Sequence, residues 1–156
     1  MVPDYIDYPV MEQVVNSEII WNHFGYWPDF HDAEVMKVLF ETHEATGRYS
    51  ITFTVDAFET TNKVTAQGHY ELIKQCLVEF QLTGIEKLEF NHFTFQNVLW
   101  ELWFEQQGSF IKCCMPSSTG LEAEVVAEEA IVLSLKPKGE SASSAYGRRA
   151  PPTPIA

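Results

Sequence analysis

An alternation with a period of two runs through this chain and constrains its fold more than any other feature. Tyr49, Ile51, Phe53 and Val55 alternate with Ser50, Thr52 and Thr54. Successive side chains on a strand point to opposite faces, so this segment has one apolar and one polar face. The pattern returns at Cys76, Val78, Phe80 and Leu82, at Leu121, Ala123, Val125 and Ala127, and at Ile131, Leu133 and Leu135. Further strands are expected near 34–41, with Met36, Val38 and Phe40 on one face, at Leu88–Phe90, over 98–105 and over Phe110–Met115. Glu44–Gly47, Thr83-Gly84, Gln107-Gly108, Ser117–Gly120 and Glu128-Glu129 read as the turns between strands. The 98–105 segment also fits a helix through Leu99 and Trp103; its aromatic content and the following Gln107-Gly108 favour a strand.

The period changes once, near the start. Ile20 and Phe24 are four apart beside Trp21, which predicts a short helix over 17–24. Asn16 or Ser17 is positioned to cap it, and Gly25 to close it. The following Tyr26-Trp27-Pro28-Asp29-Phe30 must be a turn, because proline bars helical continuation. Short connections favour antiparallel neighbours, since parallel pairs need long crossovers. The expected class is therefore α+β, mainly antiparallel β. About eight strands form a sandwich or curled sheet, with one short N-terminal helix over a face or edge.

Length and composition set the boundaries. The 156 residues suit one domain with a substantial core. From Pro137 onward the chain holds four prolines, three serines and the pair Arg148-Arg149, which reads as a flexible tail. The domain is thus expected over 1–136 and the tail over 137–156. No run approaches the ~18 apolar residues of a membrane span. Met1–Val10 carries Asp4 and Asp7 and no base, so no secretory leader is expected. The three cysteines, Cys76, Cys113 and Cys114, are odd in number and form no CxxC, which fits buried free thiols in a reducing compartment. A cytoplasmic location follows as the expectation.

The net charge of −12 is unevenly spread: residues 1–60 hold 11 acidic and 2 basic side chains, and 109–156 hold five of each. Such a surface repels phosphate backbones, which argues against nucleic acid as a partner. It attracts a basic protein and speeds the encounter.

Catalytic motifs are sparse. There is no GxSxG elbow, glycine-rich phosphate loop or HExxH. The densest polar cluster is Trp27-Pro28-Asp29-Phe30-His31-Asp32-Ala33-Glu34. His31 there is a candidate base or metal ligand, although neighbours on a strand diverge, so Asp32 is poorly placed to orient it. The structural alternative has His31 and Asp32 satisfying backbone groups where the turn enters the sheet, with Trp27 and Phe30 in the core. Trp100 and Trp103 would lie on opposite faces of a strand, leaving one exposed as an anchor for a partner. No cofactor is expected. Trp27, Asp29, His31, Asp32, Glu34 and Trp103 are the candidate partner-binding residues.

Several segments together resemble a known group. Phe24-Gly25-Tyr26-Trp27-Pro28-Asp29-Phe30-His31-Asp32-Ala33-Glu34-Val35 is similar to the opening motif of the immunity protein 50 family. Val78 to Leu88, Phe95-Gln96-Asn97-Val98-Leu99 and the stretch from Ser118 to Pro137 resemble its later segments in order and spacing. The resemblance covers about residues 18–137. It implies a cytoplasmic, non-catalytic antidote from a bacterial polymorphic toxin system, one that binds and neutralises a cognate toxin; the acidic charge fits a basic one. The alternatives are a small metal-dependent hydrolase centred on His31 and a ligand-binding module with an apolar cavity.

Overall fold

A computed structural model describes residues 8–116 and 120–139 of the chain. Two short helices, α1 (Tyr8–Met11) and α2 (Glu18–Phe24), precede six strands. These are β1 (Glu34–His43), β2 (Arg48–Val64), β3 (Tyr70–Asn91), β4 (Trp103–Gln107), β5 (Phe110–Met115) and β6 (Glu122–Pro137). They form one sheet in the order β1-β2-β3-β6-β5-β4, with every neighbouring pair antiparallel.

The period-two segments are the spine of this sheet. Phe53 lies in register with Phe80 and Val55 with Val78, so the apolar faces of β2 and β3 coincide. Ile51, Phe53, Val55, Cys76, Val78, Phe80 and Leu82 are all fully buried. Phe80 sits at the centre, its ring 5.4 Å from Phe53, 5.7 Å from Phe104 and 5.8 Å from Phe30. Full burial of each such side chain contributes about 1.5–3 kcal/mol. Ile20 and Phe24 of α2 and the following Trp27 close this face and belong to the same core. Packed aromatic rings fill this part of the core.

The sheet is one layer, curled on itself rather than paired as a sandwich. Register shifts at Val35/Lys37, Ala57/Glu59 and Ile85/Lys87 supply the curvature. β3 also turns at Gly84, whose φ is +71°. A Cβ there would lie 2.6 Å from Arg48 Nη2 and 2.8 Å from Glu128 Oε1, so the crossing of this ion pair over the strand requires glycine. The curl brings the first strand towards the segment preceding β4. Val35 N–H donates to Asn97 C=O (2.9 Å), and Leu99 N–H donates to Ala33 C=O (2.7 Å).

Six strands replace the eight expected, for one reason twice over. Thr83-Gly84 and Glu128-Glu129 read as turns, but both lie inside continuous strands. Thr83 is in register with Glu129 across β3 and β6, so the two polar pairs meet at the bend of each strand. β2 and β3 also extend past their apolar runs into a two-stranded arm reaching Val64 and Tyr70. The 98–105 segment is divided: Val98 to Leu102 is irregular, and β4 begins only at Trp103.

The α2 start differs too. Ser17 makes no side-chain cap, and Asn16 takes φ +63° while its side chain donates to Val132 C=O (3.2 Å). Gly25 closes the helix in the left-handed conformation, as expected. The expected Ser117–Gly120 turn includes residues outside those described, as does the tail beyond residue 139. β6 ends at Pro137, and Lys138 pairs with buried Asp56 at 2.6 Å. No helix among the described residues is long and apolar enough to cross a membrane.

Candidate functional site

The turn from Trp27 to Ala33 is held in an unusual backbone conformation. Phe30 and Asp32 both take positive φ, +59° and +66°. Non-glycine residues there cost free energy and need surrounding contacts to hold them. Three hydrogen bonds hold them: Asp32 N–H donates to Leu99 C=O (3.0 Å), Leu102 N–H to Asp29 C=O (2.9 Å), and His31 N–H to Asp29 Oδ1 (3.0 Å). Trp27 and Phe30 anchor the turn from below, edge-on to each other at 6.5 Å.

This conformation places His31 and Asp32 together. They sit in the turn ahead of β1, not on a strand, so the divergence expected of strand neighbours does not apply. His31 Nε2 faces Asp32 Oδ1 at 3.6 Å, and Nδ1 donates to Trp100 C=O at 2.7 Å. A carbonyl only accepts, so Nδ1 carries a proton. The Trp100 ring stands edge-on to the imidazole at 4.9 Å. Nε2, 3.6 Å from Asp32 Oδ1 and beyond hydrogen-bond distance, is on the solvent side of the ring. Among the described residues, no group of three or more His, Cys, Asp or Glu is arranged to hold a metal ion.

The opposing wall is the segment 92–102, built on buried Asn97. Its Oδ1 accepts from Thr94 N–H (2.7 Å), and its Nδ2 donates to Thr94 C=O (2.7 Å) and Val35 C=O (3.4 Å). Leu99 and Leu102 are buried beside it, while Phe93, Phe95 and Trp100 point outward.

Trp103 belongs to a different surface. It lines a groove of about 290 Å³ on the outer face of β3, β6, β5 and β4, with Glu89, Glu105, Glu122, Glu124 and Lys112. Its indole donates to Glu105 Oε2 at 3.2 Å. Lys112 bridges Glu124 (3.1 Å) and Glu105 (3.3 Å), and Lys87 bridges Glu89 (3.3 Å) and Glu124 (3.6 Å). The Lys112 hydrogen bond holds the Glu124 carboxyl below its usual range and raises the Lys112 ammonium in turn.

Compared with known families, residues 16–138 match the model of immunity protein 50. The chain belongs to the immunity protein 50 family. No curated protein and no solved structure matches it. The family region begins at Asn16, whose side chain bonds Val132 C=O of β6, and ends at Lys138, which pairs with Asp56.

All six candidate residues lie within the immunity protein 50 region, in three different settings. Asp29, His31 and Asp32 come together on the turn, partly or fully in solvent. Trp27 and Glu34 do not share that exposure. Trp27 is completely buried, edge-on to Phe104 at 6.4 Å, because the turn needs an apolar foot in the core. Glu34 is buried at the first position of β1, in register with Asp56. Trp103 is half-buried in the acidic groove. The tryptophan against His31 is Trp100, three residues earlier, which the alternation had only paired with Trp103 as an either-or. A second cluster went unnoticed: Tyr26 donates to Glu59 Oε1 (2.6 Å), which also takes Lys74 Nζ (3.2 Å). The Tyr26 hydrogen bond chiefly holds Glu59 below the usual carboxylate range, and burial pushes the Tyr26 phenol upward. Nothing in the sequence brings residues 26, 59 and 74 together; only the β2–β3 arm does.

Proposed function

We propose that this protein is a cytoplasmic immunity protein that binds a cognate bacterial toxin in a stoichiometric complex and neutralises it without catalysis. The observation that carries the reading is the family match over residues 16–138. The charge arrangement supports it. Among the described residues, Arg48, Lys63, Lys74, Lys87, Lys112 and Lys138 each already face a carboxylate. The net −12 is therefore carried by acids whose field is left to solvent, and that field favours encounter with a basic toxin. Asp29, His31 and Asp32 on the turn and Trp103 in its groove are the proposed contacts. Trp27 and Glu34 support the turn from inside. The described residues bring no further His, Cys, Asp or Glu group around His31 and Asp32 that could hold a metal, which favours this over a metal-dependent hydrolase centred on His31.

The test is a titration against the purified products of the genes flanking this one, read by their toxic activity and by calorimetry. Inhibition with a break at one equivalent, weakening with salt, is expected. Full residual activity in the presence of excess protein, with no complex formed, would remove the reading.

A further inference from the structure

The sheet ends in two edge strands, β1 and β4, and they differ in what they leave open. β4 is five residues long, whereas β1 runs for ten. Only the start of β1 is covered along its free edge, where Val35 N–H reaches Asn97 C=O and Leu99 N–H reaches Ala33 C=O. From Lys37 to Thr42 its backbone is hydrogen-bonded to β2 alone among the described residues. An uncovered edge of this length is a template for another strand. The side chains along it are open too. Leu39 is 42% and Phe40 54% exposed, and Lys37, Glu41 and Thr42 stand in solvent.

Register sorts these side chains by face. Val38 lies opposite Phe53 and Phe40 opposite Ile51, both buried, so Val38 and Phe40 stand on the inner face of the sheet. Lys37, Leu39 and Glu41 lie opposite Thr54, Thr52 and Ser50, on the outer face. Lys37 and Glu41 therefore share a face, with Leu39 midway between them. Neither forms an ion pair among the described residues. Along an extended strand their Cα atoms are about 13 Å apart, too far for the two to pair with each other.

Charges on an edge strand commonly keep a second copy away, because an edge guarded by one sign meets that sign again. The order of the charges on β1 does the opposite. When two β1 strands run antiparallel about Leu39, Lys37 of each copy lies opposite Glu41 of the other, twice by symmetry. Leu39 then meets Leu39 on the outer face, and Val38 meets Phe40 on the inner face, an aromatic and β-branched pair of the kind that stabilises sheets. A shift of two residues in either direction sets Leu39 against a charge, and parallel pairing sets Lys37 against Lys37. We propose that this protein self-associates through β1, edge to edge and antiparallel about Leu39, so that a twofold axis joins two six-stranded sheets into one. Self-association of this kind requires nothing of the toxin-binding reading.

Analytical ultracentrifugation of the whole chain tests this, in about 0.15 M salt, which screens the net −12 of each copy beyond roughly 8 Å. Edge-to-edge contacts are small, so a weak dimer is expected, forming at about 100 μM. Lys37→Glu and Glu41→Lys each turn two attractive contacts into repulsive ones and should weaken the dimer about 10-fold or more. Both side chains are exposed, so circular dichroism should show an unchanged fold. Mixing Lys37→Glu with Glu41→Lys restores opposite charges at both contacts, and a mixed dimer about as tight as that of the wild type is expected. A wild type that stays monomeric up to about 1 mM would overturn the inference. A dimer that neither single variant weakens, or single variants that do not associate when mixed, would overturn it as well. Loss of binding to a flanking gene product by Lys37→Glu, with the free wild type monomeric, would assign the edge to that partner and overturn self-association.

Discussion

Asn97→Ala tests the link between the buried amide and the surface it supports. The side chain is 3% exposed and makes two 2.7 Å hydrogen bonds and one of 3.4 Å. Each net intramolecular hydrogen bond is worth about 0.5–1.5 kcal/mol, and a partly buried Thr94 N–H left without its acceptor adds to the loss. A total near 2–3 kcal/mol follows. For a chain of this length that lowers the Tm by roughly 5–10 °C, since each kcal/mol moves it about 2–4 °C. Thermal unfolding followed by circular dichroism, supported by urea titration, measures it. Asn97→Asp separates the two edges of the amide. It keeps the acceptor for Thr94 N–H but turns the donor edge into oxygen facing two carbonyls, so near neutral pH it should be at least as destabilising as alanine. A shift under 1 °C for Asn97→Ala, or a wild-type melt for Asn97→Asp, would refute the argument that this amide clamps the 92–102 segment.

Other consequences can be checked in the same way. Gly84→Ala forces a side chain into φ +71° and against Arg48 and Glu128, and should cost about 1–3 kcal/mol in urea unfolding. Because Glu59 has a lowered folded pKa, its contribution is fully present above the ordinary carboxylate range and is lost as pH falls through that lowered value. Tyr26→Phe should therefore destabilise by about 1–2 kcal/mol at pH 7, and the gap to wild type should narrow in urea titrations towards pH 3. Burial pushes the thiols of Cys76 and Cys114 up to about 12 and raises that of Cys113 well above its usual range. Iodoacetamide at pH 8 should label all three slowly in the native protein and quickly in urea, and native labelling at the rate of a free thiol would contradict their burial. Lys138→Ala leaves Asp56, 5% exposed, without its ion-pair partner and should cost about 3 kcal/mol or more by urea unfolding.

Much of the fold was legible because strand alternation is local. The apolar face of β2 and β3 can be read directly from Ile51 to Val55 and Cys76 to Leu82, as can the Gly25 helix stop and the Gln107-Gly108 hairpin. Strand continuity was not legible. Thr83-Gly84 and Glu128-Glu129 have turn chemistry, and what keeps them within strands is mutual pairing across 46 positions of sequence. The site was half legible for the same reason. His31 and Asp32 stood out as residue types, but their meeting depends on positive φ at Phe30 and Asp32, which no period reveals. Phe95 carried no signal of exposure in the sequence, where it stood only in the segment ahead of the expected 98–105 strand; in the structure it lies in the 94–97 turn that Asn97 holds.

The position of β6 has a consequence for synthesis. β6, the last in sequence of the six described strands, is inserted between β3 and β5, two strands made earlier. Until residues near Pro137 emerge, the nascent chain can hold only two separate meanders, β1-β2-β3 and β4-β5, each with an unpaired edge. Pairing of β6 is therefore what joins the two meanders, and a chain cut short before residue 130 carries both with open, aggregation-prone edges rather than forming a smaller working protein.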